Sequence, residues 1–398
     1  MSWNQRIASA LQQRQAAHQW RQPVTLDSAQ GTEVEVNGQR LINFCSNDYL
    51  GLANQAGEDL ARAARQWGLG SGASHLVCGH SRAHQQLEEA LAAYSGYPRG
   101  LLFSTGYMAN MGVINAFAQR GDLVLQDRLN HASLLDGAQL SRADFQRYQH
   151  LDYAHLQQRL ASFRQTQTDS KRQGLAMVVT DSIFSMDGDL ADIRQISAVC
   201  QQENALLMVD DAHGLGVIGA NGGGVREHFG LTPQQLPLYI GTLGKALGGF
   251  GAFVGADSDT IDYLIQFARP YIYTTALPPA VATAMLANLE RMQDQQLRVI
   301  LNDHIQHFRQ RALAAGLALM ESHSPIQPLL VGPEDKTLEL SQQLKKRGFW
   351  VTAIRPPTVP EGSSRLRITL TAAHHRDQID ALLDALIELC PDPQEPTS

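Results

Sequence analysis

Residues 205–216 read "ALLMVDDAHGLG". The first five form an unbroken apolar run that is followed by two acids, Asp210 and Asp211. A strand with one wet face alternates polar and apolar residues. A strand buried on both faces reads as a continuous run. Similar runs occur at "GLLFST" (100–105), "DLVLQD" (122–127), "LAMVVTDSIF" (175–184), "LYIGTL" (238–243) and "GAFVGA" (251–256). Helical stretches at 107–120 and 189–204 separate several of them. This rhythm predicts an α/β domain around a mainly parallel sheet. Ligands of such sheets bind at the carboxyl ends of the strands. The residues just after each run are therefore where chemistry is expected.

The chain has 398 residues and is 43% hydrophobic, enough for two unequal domains. Its formal net charge of −7 argues against nucleic acid as a partner. Cys45, Cys78, Cys200 and Cys390 are scattered with no CxxC pair, as expected of reduced thiols in a cytoplasmic protein. No stretch approaches the roughly 18 apolar residues that cross a membrane, and no signal peptide is read. Trp3, Ile7 and Leu11 recur at helical spacing, which predicts an amphipathic N-terminal helix. After about residue 285 the pattern changes. One long helical stretch is expected over 279–316, then a half-buried alternating strand "RLRITL" (365–370), then a helix carrying Ile379, Leu382, Leu383, Leu386 and Ile387. We divide the chain into an arm (1–45) packed with the small domain, a large domain (46–285) and a smaller α+β domain (286–398). The tail "PDPQEPTS" reads as disordered.

Four segments carry chemistry. In "GTLGKALGGFGAF" (241–253) Lys245 is the sole charge, set among glycines. A P-loop is excluded: Tyr239 stands where its first glycine should be, and Ala246 where Ser or Thr should bind magnesium. Such a lysine is either a structural cation reaching solvent or a Schiff-base nucleophile with a depressed pKa. Asp210 and His213 follow the central run. A metal site is one reading, but no other His or Cys cluster has ligand spacing nearby. A buried aspartate needs a cationic partner, and the protonated ring nitrogen of pyridoxal phosphate (PLP) is one. "FSTGYMAN" (103–110) puts Ser104, Thr105 and Gly106 at a helix start, either as ordinary caps or as a phosphate cradle. "DRLNHASLLDG" (127–137) places His131 in a loop, where it can be structural or stack on a planar ring. "SIFSMDGD" (182–189) offers Ser185 after a strand.

Together "NFCSNDYLGL" (43–52), "LNHASLLDG", "FSMDGD", "DDAHG" and "TLGKALGG" resemble the α-oxoamine synthases, fold-type I PLP-dependent transferases. The likeness spans residues 2 to about 388. It implies a large domain with a mainly parallel sheet and a smaller C-terminal α+β domain. Lys245 then resembles the Schiff-base lysine, Asp210 the partner of the pyridine nitrogen and His213 that of the phenolic oxygen. His131 matches the ring-stacking histidine, which also borders the substrate. Gly106, Tyr107, Ser185 and Thr242 match cofactor contacts. Thr274, in "YIYTTALPP", matches a phosphate contact made across a homodimer interface. Asn47 and Arg367 match the clamp on an amino-acid carboxylate; Arg21, Arg355 and Thr358 match positions near an acyl substrate. No metal is implied. Within the family, "IRPPTVPEGSSRLRITLTAAH" (354–374) resembles members of biotin synthesis that join L-alanine to a pimeloyl thioester on acyl carrier protein or coenzyme A.

Alternation in "RLRITL" turns Arg367 away from Leu366, Ile368 and Leu370 and toward the cofactor, while Arg365 reads as solvated. Glycine acetyltransferase-like and aminolevulinate synthase-like activities are rivals, disfavoured by the Arg and paired prolines of "IRPPTVP". A silent binding subunit would be expected to lack Lys245. A non-enzymatic scaffold leaves the coincidence of Asp210, His213, Thr242 and Lys245 at strand ends unexplained.

Overall fold

The run "LLMVD" forms a strand buried from Leu207 to Asp210, because β-branched and long aliphatic side chains fill both of its faces. A computed structural model describes residues 1–16, 19–167 and 174–390. Its strands are β1 (Glu33–Val36), β2 (Gln39–Asn43), β3 (Arg99–Phe103), β4 (Leu123–Asp127), β5 (Asp144–Tyr148), β6 (Ala176–Asp181), β7 (Leu206–Asp210), β8 (Leu238–Thr242), β9 (Ala252–Ala256), β10 (Ile326–Gly332), β11 (Phe349–Trp350), β12 (Thr352–Ile354) and β13 (Ser364–Thr369). Seven of them make one sheet in the order β3-β9-β8-β7-β6-β4-β5. β5, β4, β6, β7 and β8 run parallel. β9 runs against both β8 and β3, so the sheet is mixed at that side. β5, "DFQRY", lies outside the apolar runs; it is a half-exposed edge strand without their signature.

Among the described residues, two small sheets hold the remaining strands. β10-β13-β12 is antiparallel, and the hairpin β1–β2 is joined in parallel by β11. Residues 33–43 are thus hydrogen-bonded to the C-terminal part. One apolar cluster runs from Phe44 through Leu91, Val209 and Leu289 to Leu386.

Three expectations are corrected. The 279–316 stretch is two helices, Pro279–Met292 and Gln295–Ala314, because Asp294 caps the second by accepting from the Gln296 amide at 2.9 Å. β13 is buried along its whole length rather than on one face, since it is the middle strand of its sheet. Arg365 is accordingly not solvated; it is 4% exposed and paired with Asp187. The N-terminal helix, Trp3–Ala16, forms, but no residue of it is buried in the single chain. The tail 391–398 lies outside the described residues. No helix among them is long and apolar enough to cross a membrane.

Candidate active site

Lys245 sits in the turn after β8. Two glycines make that turn possible. Gly248 has φ +69°, and a Cβ on it would stand 2.4 Å from the Leu52 carbonyl carbon; Gly251 has φ +121°. The turn so packed directs Lys245 Nζ to within 2.9 Å of His213 Nε2. On the far side of that imidazole, Nδ1 shares a 2.6 Å hydrogen bond with the buried Tyr49 hydroxyl. Burial pushes the Lys245 ammonium down to about 8. Burial, and then the Lys245 charge, holds His213 well below the ordinary histidine range, so its ring is neutral.

Asp210 ends β7. Its carboxylate accepts from Asn110 Nδ2 at 2.6 Å and from the Ala212 amide at 2.9 Å. Asp211 points the opposite way, as successive strand residues do. It is buried among Ser182 Oγ (2.5 Å), Tyr239 Oη (2.8 Å) and the Val225 amide (2.8 Å), and burial lifts it to about 7. It is a structural carboxylate. Asp181, at the end of β6, is held well above the carboxylate range by burial and then by the charge of Asp210. It accepts the His131 amide at 2.7 Å and so fixes the loop that carries His131. His131 Nδ1 shares a 2.7 Å bond with Ser133 Oγ, which also accepts from Asn110. The Tyr107 ring stands edge-on to His131, with centroids 6.2 Å apart.

PLP fits this constellation. Among the described residues no cationic side chain pairs directly with the buried Asp210 carboxylate, and a protonated ring nitrogen would supply that charge. The helix Gly106–Phe117 is capped by Thr105, whose Oγ1 accepts the Met108 amide at 3.2 Å. Its first N–H groups have no partner within the helix. They converge with Thr242, whose Oγ1 lies 4.0 Å from where a Gly106 Cβ would be. That is an anion cradle.

A third cluster faces Lys245 from β13. Arg367 is spread by three acceptors: Nε donates to the Ser185 carbonyl at 2.6 Å, Nη1 to Thr369 Oγ1 at 3.1 Å and Nη2 to Asn47 Oδ1 at 3.1 Å. Asn47 also accepts from Tyr49 Oη at 3.3 Å, so a hydrogen-bonded chain runs from Arg367 to Lys245. Lys245, His213, Asn47, Ser185 and Arg367 thus form one bonded set; Asp210 and His131 form a second through Asn110 and Ser133, close enough to Lys245 for their charges to interact. Arg355 and Thr358 form a separate turn, closed by a 3.0 Å bond from the Thr358 amide to the Arg355 carbonyl. Arg21 is exposed, and Thr274 lies beside Thr275, which bridges to Ser74. Neither shows a hydrogen bond to the Lys245 region among the described residues. Sequence reasoning did not single out Asn110, Tyr49 and Asp181. Asn110 lies one helical turn beyond Gly106, on the same face, which was its available signal.

A strand-end lysine, a buried aspartate and a helix-terminal anion cradle on a mainly parallel sheet define a PLP-dependent transferase of fold type I, and a model of the aminotransferase class I and II family matches residues 39–386: the chain belongs to that family. The chain is similar to the 8-amino-7-oxononanoate synthase of Pseudomonas putida (strain GB-1), 55% identical over 391 residues and 97% of each chain. Among solved structures it resembles a serine palmitoyltransferase from S. paucimobilis with PLP and myriocin bound (27% identity, TM-score 0.90, covering 98% of this chain and 99% of that one). It also resembles the 8-amino-7-oxononanoate synthase of Francisella tularensis (30% identity, TM-score 0.74, 87% and 97%).

Proposed function

We infer that this chain condenses L-alanine with a pimeloyl thioester, on acyl carrier protein or coenzyme A, in biotin synthesis. A C–C bond forms between the alanine α-carbon and the acyl carbonyl. The carrier thiol and carbon dioxide leave, and 8-amino-7-oxononanoate remains. The similarity to the curated synthases supports the activity. The observation that carries the residue roles is the bonded chain Arg367–Asn47–Tyr49–His213–Lys245, which joins an anion clamp to a base.

PLP supplies, when bound, a carbonyl that an amine can attack and a ring that accepts electrons. Asp210 would keep the ring nitrogen protonated, and His213 would hold the phenolic oxygen. Gly106, Tyr107, Ser185, Thr242 and His131 would hold the group. Arg367 and Asn47 hold the alanine carboxylate; a planar guanidinium suits that anion. Lys245, with a pKa of about 8, takes the α-proton and returns it. Arg21, Arg355 and Thr358 border the acyl chain.

A homodimer belongs to this reading, with Thr274 reaching the partner's phosphate. Apolar side chains left open on one chain support it: Leu69, Val77 and Tyr273 are 89%, 77% and 71% exposed, and residues 73–74 are hydrogen-bonded to 275–276. The division at residues 45 and 285 goes with it, the arm pairing through β2 and β11.

Steady-state assays with alanine or glycine against pimeloyl, acetyl and succinyl thioesters test the activity. Alanine with the pimeloyl donor should be preferred, and glycine, lacking one methyl, should lose roughly 1–3 kcal/mol. Preference for glycine with acetyl or succinyl donors overturns the reading.

A further inference from the structure

The loop 182–190, between β6 and the helix Ile193–Glu203, runs beneath Arg367 and is anchored from two sides. On the large-sheet side His150 bridges two carboxylates: Nδ1 meets Asp127 Oδ1 at 2.9 Å and Nε2 meets Asp189 Oδ2 at 2.7 Å. On the other side Arg365 pairs with Asp187, and Ser322 Oγ donates to the Gly188 carbonyl at 2.9 Å. Between these anchors the Ser185 carbonyl accepts from Arg367 Nε. Arg365 and Arg367 are two apart on β13 and so leave it on the same face. One takes the loop's carboxylate, the other its carbonyl.

A buried ion pair is a poor source of net stability, because desolvation offsets the attraction; its better use is to fix a geometry. The Arg365 and Asp187 side chains are 5% and 15% exposed. His150, Asp187 and Asp189 stand close enough to hold a cation. Yet both nitrogens of His150 are occupied by carboxylates and Asp187 by Arg365, so the cluster already has its cations.

We propose that Asp187 is a positioning residue for the amino-acid substrate: paired with Arg365, it sets the loop so that the Ser185 carbonyl aims the Arg367 guanidinium at the substrate carboxylate. The proposal rests on the carboxylate role of Arg367 given above. Without the pair the loop shifts, Arg367 loses its Nε acceptor, and alanine is held less well while proton transfer at Lys245 is untouched.

The test uses the PLP-loaded enzyme. L-alanine affinity is read from the change in cofactor absorbance on titration, beside KM for each substrate, kcat and Tm. Asp187→Asn should weaken alanine about tenfold or more, since small misplacements near a reacting centre carry such penalties. kcat and the thioester KM should stay within about threefold, and Asp187→Glu should recover part of the loss. Arg365→Lys serves as a second variant if Asp187→Asn folds poorly. In an Arg367→Lys background the Asp187→Asn effect should vanish. Unchanged alanine affinity in Asp187→Asn, equal weakening of alanine and thioester, or a full effect persisting beside Arg367→Lys overturns the proposal. Normal alanine binding by Arg367→Lys alone overturns the clamp itself, and the proposal with it; the single and double variants tell the two failures apart.

Discussion

Lys245 meets its histidine partner at 2.9 Å, and desolvation by the surrounding chain brings its pKa down to about 8. In the cofactor-free protein its acylation by an amine-reactive probe should therefore rise with a midpoint near pH 8, followed by peptide mapping, whereas exposed lysines titrate near 10.4. A midpoint above 10 at Lys245 would contradict the burial argument. The linkage sign follows. Between about 8 and 10.5 the unfolded chain holds a proton that the folded one has lost, so this residue's contribution to stability improves as pH rises through that window. Lys245 was legible because a single charge among glycines has no local reason to be there. Asp210 was legible because it ends an apolar run, and the strand's alternation separated it from Asp211. Tyr49 and Asn110 were not. Their hydroxyl and amide are bonded to His213 and Asp210 across 164 and 100 residues of chain, and no short-range pattern carries such pairings.

Elements show where local pattern misleads. "RLRITL" alternates like a strand with one wet face, yet β13 lies between β10 and β12, and its polar face is closed by the loop 182–190. Alternation reports side-chain chemistry; what covers the polar face depends on distant chain. β9 reads like the parallel strands although it runs antiparallel to both its neighbours, because burial, not direction, dictates its composition. The large sheet's side of the same loop supplies a pH test. Burial opposes charge on His150, but Asp127 and Asp189 outweigh it and raise the imidazole to about 9. A raised folded pKa stabilises fully below the unfolded value near 6.5 and fades as pH climbs through 9. The Tm difference between the parent and His150→Gln should accordingly be large at pH 6, shrink across 6.5–9 and level off above. A difference that grows with pH would show that His150 is neutral in the folded chain.

At the scale of the molecule, the single chain carries Lys245, Asp210 and Arg367, the proposed base, sink partner and carboxylate clamp, while Thr274 shows no hydrogen bond to them among the described residues. If two copies share their sites, a mixture of Lys245→Ala and Thr274→Ala chains assembles some dimers with one doubly altered site and one intact site. Mixing should then raise activity above the mean of the parents, toward about a quarter of the unaltered enzyme if both parents are inactive and chains pair at random. Activity equal to the parental mean after subunit exchange would place Thr274 outside the partner's site. The apolar cluster that joins Phe44 to Leu386 makes early and late parts of the chain mutually dependent.

The strand order carries a consequence for how the chain is made. β3 ends at Phe103, and its neighbour in the sheet is β9, which begins at Ala252. A ribosome adding 5–20 residues each second delivers that neighbour roughly seven to thirty seconds later. Through that interval "GLLF" has no native strand to pair with. The nascent polypeptide must shelter it, by transient burial or by a chaperone, before the sheet can close.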